Sequence, residues 1–199
     1  DTRIAYYGKN SDFFFEVLIG TLKSNTVTVG VNWRLAPPEV SYVLNDSESE
    51  VLFVGADFYP VIDQILEDLP KIKKVVAIDG DHENYQDFIS WRNSQNSANP
   101  EIKSSPNDDI LQLYTSGTTG HPKKIFLSYS KLYKSSISIT KYMNTNYDDF
   151  HAWSMPPDYV YGLSMLNQVL NTNSSVFIIN MSNNIKSILE NFKNYKNLI

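Results

Sequence analysis

Short apolar runs alternate with helically spaced apolar positions along the first part of the chain. Ile4-Ala5-Tyr6-Tyr7, Thr26 to Val31, Val51-Leu52-Phe53-Val54 and Val75-Val76-Ala77-Ile78 are β-prone and continuous, the pattern of strands covered on both faces. Between them, Phe14, Val17, Leu18 and Leu22 recur at helical spacing behind Ser11, a candidate N-cap. Pro37-Pro38-Glu39 fits the first turn of a short helix through Val40, Val43 and Leu44. A further helix is predicted over 57–69, with Val61, Ile62, Ile65, Leu66 and Leu69 on one side. Strand–helix alternation of this kind predicts an α/β fold with mostly parallel sheets flanked by helices.

The pattern changes after residue 92. Residues 93–107 are polar, rich in Asn and Ser, and divide a first α/β segment (1–92) from a second segment (108–199). In the second, Ile110 to Tyr114 and Ile125 to Leu127 read as strands. Tyr129 to Met143 reads as a helix, Phe150 to Met155 as a strand, and Val160 to Leu170 as a helix. Val176 to Ile179 reads as a strand and Ile185 to Phe192 as a helix. The chain holds 20 asparagines. Their side chains compete for backbone hydrogen bonds, so they are expected to blur helix ends.

Bulk properties narrow the function classes. The 199 residues suit one domain, and 42% hydrophobic content with 13% aromatics supports a real core. A net charge of −5 argues against a nucleic-acid binder. No apolar run approaches the roughly 20 residues that span a bilayer, and a cytoplasmic protein is expected. Without cysteine the chain offers no thiol nucleophile, and redox compartment cannot be read from disulfides. His82, His121 and His151 are scattered without metal-ligand spacing. The chain opens on Asp1 and closes on Asn197-Leu198-Ile199, and both ends read as cut.

The chemistry concentrates at Tyr-Thr-Ser-Gly-Thr-Thr-Gly-His-Pro-Lys-Lys, residues 114–124. A glycine-rich loop between two strand-like runs can turn several backbone N–H groups toward one point. Thr115, Ser116, Thr118 and Thr119 add hydroxyl donors, and Lys123 adds a cation. Together these suit a phosphate. The spacing is not that of a Walker loop, which needs four residues between its glycines and Lys-Ser/Thr directly after the second. Here Gly117 and Gly120 have two residues between them, and Lys123 is followed by Lys124. A plain Ser/Thr/Gly turn is the bland alternative. Asp108-Asp109 reads as a solvated strand entry, and Lys71, Lys73 and Lys74 as a solvated face.

Thr115-Ser116-Gly117-Thr118-Thr119-Gly120-His121-Pro122-Lys123 resembles the signature loop of the adenylate-forming (AMP-binding) enzymes. Val31-Asn32-Trp33-Arg34-Leu35 through Val51-Leu52-Phe53-Val54 is similar to the early part of an acyl-CoA synthetase. Met155-Pro156-Pro157-Asp158-Tyr159-Val160-Tyr161-Gly162-Leu163 falls where that family has its next motif. The resemblance implies part of the large N-terminal domain of such an enzyme, without its C-terminal domain. It implies ATP and Mg2+ as reactants, a carboxylic-acid substrate, and CoA or a carrier-protein thiol as acceptor. Thr115, Ser116, Gly117, Thr118, Thr119, Gly120 and Lys123 are then expected to bind the ATP phosphates, with Lys123 offsetting charge as pyrophosphate leaves. Tyr159 and Gly162 are expected to line the substrate pocket, with no resident metal site.

Two positions depart from the family pattern. Lys124 stands where glycine usually follows the signature lysine, and Asp158-Tyr159 replaces the common Phe-His. Trp33 and Arg34 could stack on adenine, but the family places them in the scaffold. The family's adenine- and ribose-binding motifs and its C-terminal lysine are expected downstream of Ile199, so the 199 residues alone are expected to be inactive. A non-catalytic nucleotide-binding pseudoenzyme and a peptide-synthetase adenylation domain remain the alternatives.

Overall fold

The apolar runs become the strands of one seven-stranded sheet. A computed structural model describes residues 2–115 and 122–179, with further positions at 186, 190, 192 and 193. The strands are β1 (Arg3–Tyr7), β2 (Val27–Val31), β3 (Val51–Val54), β4 (Lys74–Ala77), β5 (Gln86–Asp87), β6 (Asp109–Thr115) and β7 (Lys123–Ser128). Their order across the sheet is β5-β4-β3-β1-β2-β6-β7. All neighbours are parallel except β6 and β7. The chain therefore leaves β1 toward β2, returns to the other side for β3, and later comes back to place β6 beside β2. A second, two-stranded parallel sheet pairs β8 (Phe150–Trp153) with β9 (Ser175–Ile178).

The helices are α1 (Asp12–Ser24), α2 (Pro37–Asp46), α3 (Tyr59–Ile65), α4 (Phe88–Asn93), α5 (Tyr129–Met143) and α6 (Val160–Thr172). Side chains alternate between the two faces of each strand. Ala5, Tyr7, Val29, Val31, Leu52 and Val54 meet α2 and α3. Tyr6, Phe53, Val76, Leu111 and Leu113 meet α1, α4, α6 and Trp153 of β8. Burial of a large apolar side chain contributes about 1.5–3 kcal/mol. These two faces therefore hold the layers more firmly than helix propensity does.

Local chemistry sets the helix boundaries. Pro37 opens α2, and the Glu39 carboxylate accepts the Ala36 N–H at 2.8 Å, satisfying a donor at the helix start. Ser11 does sit at the N-cap of α1, but it makes no capping bond there. Its hydroxyl pairs with Tyr6 Oη at 2.8 Å. Three helices end on an asparagine in the left-handed region: Asn25 after α1, Asn144 after α5 and Asn173 after α6. Short polar side chains tolerate that conformation. At these ends asparagine marks the boundary that it was expected to blur.

Other expectations are corrected or made more specific. The helix foreseen over 57–69 is three pieces: a 3-10 turn at Ala56–Phe58, then α3, then a 3-10 turn at Leu66–Asp68. The polar stretch 93–107 begins on the last residue of α4, whose N-cap Asp87 accepts the Ser90 N–H at 2.7 Å. Lys71 and Lys73 are exposed, as expected of a solvated face, though Lys73 also pairs with Glu50 at 2.6 Å, and half-buried Lys74 lies over the Trp91 ring. Asp108 stands directly before β6, as expected of a strand entry, and accepts there from the Ser105 N–H and the Asn25 side chain. Most of the helix expected at Ile185 to Phe192 lies outside the described residues.

Candidate active site

The two ends of the glycine-rich segment are fixed opposite each other. β6 ends at Thr115 and β7 begins at Lys123, and these residues are direct cross-strand partners. The Thr115 hydroxyl donates to the Lys123 carbonyl at 3.4 Å. Both are exposed. Because β6 runs parallel to β2, Thr115 lies at the carboxyl edge of the sheet, the edge at which α/β proteins bind ligands. Ser116, Gly117, Thr118, Thr119 and Gly120 lie outside the described residues, as does His121. Of the expected phosphate-binding set, the structure thus places Thr115 and Lys123 together.

One residue pair further from the segment, Tyr114 and Lys124 are partners across the same two strands. Both reach the last residue of α2. Tyr114 Oη donates to Asp46 Oδ2 at 2.7 Å, and Lys124 Nζ lies 3.4 Å from the same carboxylate and 3.3 Å from the Asp46 carbonyl. Behind them, buried Gln112 donates to Tyr114 Oη at 2.8 Å and accepts from Arg3 Nε at 3.0 Å. Burial and the adjacent Asp46 carboxylate push the Tyr114 phenol well above its ordinary range, so it stays a neutral donor. Lys124 therefore anchors to α2. Its neighbour Lys123 projects to the opposite face by strand alternation, and among the described residues no carboxylate pairs with it.

That opposite face carries the second cluster. Gly30 of β2 lies against residue 158 so closely that an added Cβ would stand 2.9 Å from the Asp158 Cα. Asp158 is largely buried, and its Oδ1 has no hydrogen-bond partner. Burial raises its carboxyl to about 6, although its own backbone, Arg34 and Asn32 act in the other direction. Arg34 stacks on Trp33 with 4.0 Å from guanidinium carbon to ring centre, while Trp33 packs on the core. The buried Asn10 amide ties this region together, lying 3.0 Å from the Met155 carbonyl and 3.4 Å from those of Trp153 and Ile179. Beneath, in β8, His151 is buried with Nε2 unpartnered, and burial lowers its pKa.

Tyr159 caps α6 and is 46% exposed, so its ring is available to a ligand. Gly162 is packed against its own chain, since a Cβ there would meet the Pro156 carbonyl at 2.7 Å. We expect Gly162→Ala to destabilise the protein. Overpacking costs about 1–3 kcal/mol, which outweighs the roughly 1 kcal/mol of helix propensity that alanine returns. A thermal midpoint equal to or above the wild type would contradict this. Elsewhere, a cavity of about 680 Å³ opens between α1 and α4 over Val17, Phe53, Phe88 and Trp91. The charged pair at its rim, Arg92 and Glu16, is satisfied internally.

The model of the AMP-binding enzyme family matches residues 1–197. The chain belongs to the AMP-binding enzyme family. It is 39% identical over 132 residues to a fatty acid–[acyl-carrier-protein] ligase, ScoC, from Streptomyces coeruleorubidus, covering 66% of this chain and 24% of that protein. It is 32% identical over 163 residues to a long-chain-fatty-acid–CoA ligase, FadD13, from Mycobacterium tuberculosis, covering 81% of this chain and 31% of that protein. The inhibitor-bound N-terminal domain of FACL13 from Mycobacterium tuberculosis superposes with a TM-score of 0.86 at 26% identity, over 96% of this chain and 47% of that one. The chain thus spans about a quarter to a third of the curated relatives it matches. The mostly parallel sheet flanked by helices is that of acyl-CoA ligase N-terminal domains.

Within this AMP-binding chain, three site residues escaped the sequence. Asp46 is 78 residues from Lys124, Asn10 is 145 from Met155, and Tyr114, which opens the glycine-rich segment, gives no sign in the sequence of its bond to Asp46, 68 residues away. No local pattern marks such pairs. For Asp158 there was a signal, an acidic residue in an otherwise apolar and aromatic motif.

Proposed function

We propose that this chain forms the phosphate-binding part of an enzyme that activates a carboxylic acid with ATP and transfers the acyl group to a thiol. The observation that carries the proposal is the pairing of Thr115 with Lys123 at the carboxyl edge, where the signature segment begins and ends. In this reaction a carboxylate oxygen attacks the α-phosphorus of ATP, the bond to pyrophosphate breaks, and an acyl adenylate forms. A thiol then attacks the acyl carbon and AMP leaves. No protein nucleophile is required; the protein aligns reactants and offsets charge.

The residues present suit an anionic reactant. Lys123 supplies a cation and Thr115 a hydroxyl at one strand end, and Ser116, Gly117, Thr118, Thr119 and Gly120 complete the assigned set. Lys123 would counter charge on departing pyrophosphate. Mg2+ is assigned to the ATP phosphates, whose charge it would offset. Tyr159, at the exposed start of α6, is assigned to the substrate pocket, and Gly162 to the close packing of α6 on Met155 and Pro156 behind it. ScoC and FadD13 point to a fatty acid over an amino acid, and they leave both CoA and a carrier-protein thiol as acceptors. No helix among the described residues is long and apolar enough to cross a membrane, and a cytoplasmic setting agrees with these reactants.

The Lys124 and Asp158-Tyr159 departures favour one alternative, a nucleotide-binding pseudoenzyme. Acid-dependent exchange of labelled pyrophosphate into ATP by the full-length protein separates the two. We expect exchange with a medium- or long-chain fatty acid. ATP binding without exchange, across fatty, aromatic and amino acids, would establish the pseudoenzyme.

A further inference from the structure

Two adjacent lysines open β7, and the fold treats them differently. Lys124 shares a strand level with Tyr114, and both converge on the Asp46 carboxylate from the α2 side of the sheet. Lys123 shares the next level with Thr115 and projects to the other side, the side on which Asp158 covers Gly30. Asp46 ends α2, where exposed carbonyls make a carboxylate unfavourable. The Lys124 ammonium answers both, reaching the carboxylate and the Asp46 carbonyl. The pair is 45% and 29% exposed. An ion pair of this kind contributes only about 0–1 kcal/mol to stability, so its main effect is geometric.

We propose that Asp46 is a positioning residue for the strand ends that carry Thr115 and Lys123: by engaging Tyr114 and Lys124 together, it fixes the end of β6 against the start of β7 and leaves Lys123 as the lysine that faces the nucleotide. Glycine at position 124 would leave Asp46 without its cation, so the departure at Lys124 and the acid that ends α2 form one device. Tyr114 supplies the shielded half of the clamp, with its hydroxyl oriented by Gln112. The inference rests on the ATP-dependent acid activation proposed above.

The test is a double-mutant cycle in the full-length protein, read by pyrophosphate exchange with the KM for ATP and the KM for the acid measured separately. Asp46→Ala and Lys124→Ala are each expected to raise the KM for ATP about fivefold to tenfold, with the KM for the acid within twofold. The double variant should be no worse than either single one, because the pair acts as a unit. If Asp46→Ala fails to fold, Tyr114→Phe tests the same clamp and should raise the KM for ATP in the same way. Wild-type exchange with an unchanged KM for ATP in these variants overturns the clamp and leaves the proposed activity standing. Additive losses, or equal effects on both substrates, also overturn it. A wild-type protein that exchanges no pyrophosphate overturns the activity, and the clamp with it.

Discussion

Replacing Lys123 by alanine in the full-length protein should slow adenylate formation by about tenfold to a thousandfold, the range for losing one donor to charge that develops in the transition state. The expectation rests on where the side chain is held. Lys123 is exposed at the carboxyl edge, opposite Thr115, and on the face away from the α2 clamp. Lys124 differs, being held by Asp46 at 3.4 Å. The two lysines should therefore separate kinetically. Lys123→Ala should lower kcat for pyrophosphate exchange, while Lys124→Ala should act mainly through the KM for ATP. Lys123→Arg keeps the charge but changes its shape and donor geometry, so partial recovery is expected. An unchanged rate in Lys123→Ala would move this residue out of the chemistry and return the segment to a plain polar turn.

A pH dependence should arise at Asp158. Its carboxyl is raised from an ordinary 3.8 to about 6, chiefly by burial. The sign follows from which state holds the proton more tightly. Below about pH 4 the group is protonated in both the folded and the unfolded chain, and it contributes no dependence. Between about pH 4 and 6 the folded chain retains the proton that the unfolded chain loses, so stability falls as pH rises. Above about pH 6 the full cost is present, at most about 3 kcal/mol for a shift of this size. Asp158→Asn removes the ionisation while keeping the side-chain shape. We expect the variant and wild type to have similar thermal midpoints near pH 4 and the variant to be more stable at pH 8. Comparing the two at each pH cancels the other carboxylates. Parallel curves from pH 4 to 8 would show that Asp158 ionises freely in the folded protein.

What the sequence made legible was governed by local rules. α5 spans Tyr129–Met143, as its spacing predicts, because helical periodicity and a polar N-terminal neighbour are both local. The parallel sheet followed from continuous β-prone runs separated by helices. The 57–69 region was harder. Its apolar spacing is helical throughout, yet the chain tightens into 3-10 turns at both ends, around Ala56–Phe58 and Leu66–Asp68. Periodicity alone does not separate these closely related geometries. Asparagine was read through its average propensity, whereas Asn25, Asn144 and Asn173 act through their tolerance of the left-handed region.

The site divided along the same line. Thr115 and Lys123 were legible because the signature is contiguous. The Asp46 clamp and the Asn10 tie were not, because each joins residues far apart in the chain. Asp158 was legible as an oddity, but its burial depended on Gly30, whose missing side chain gives residue 158 room to pack against β2. A single strand glycine does not announce which segment it will admit.

The strand order also sets a timetable for synthesis. The β1 partner of β2 precedes it in the chain, but the partner of its other edge is β6, with Thr28 opposite Leu111. That partner emerges about 80 residues later. At ribosomal rates of about 5–20 residues per second, the gap lasts on the order of 4–16 s. For that interval Val-Thr-Val-Gly-Val presents an unpaired, apolar strand edge, the kind of surface that recruits other chains. Its yield on overexpression should therefore depend on how quickly translation reaches the signature segment.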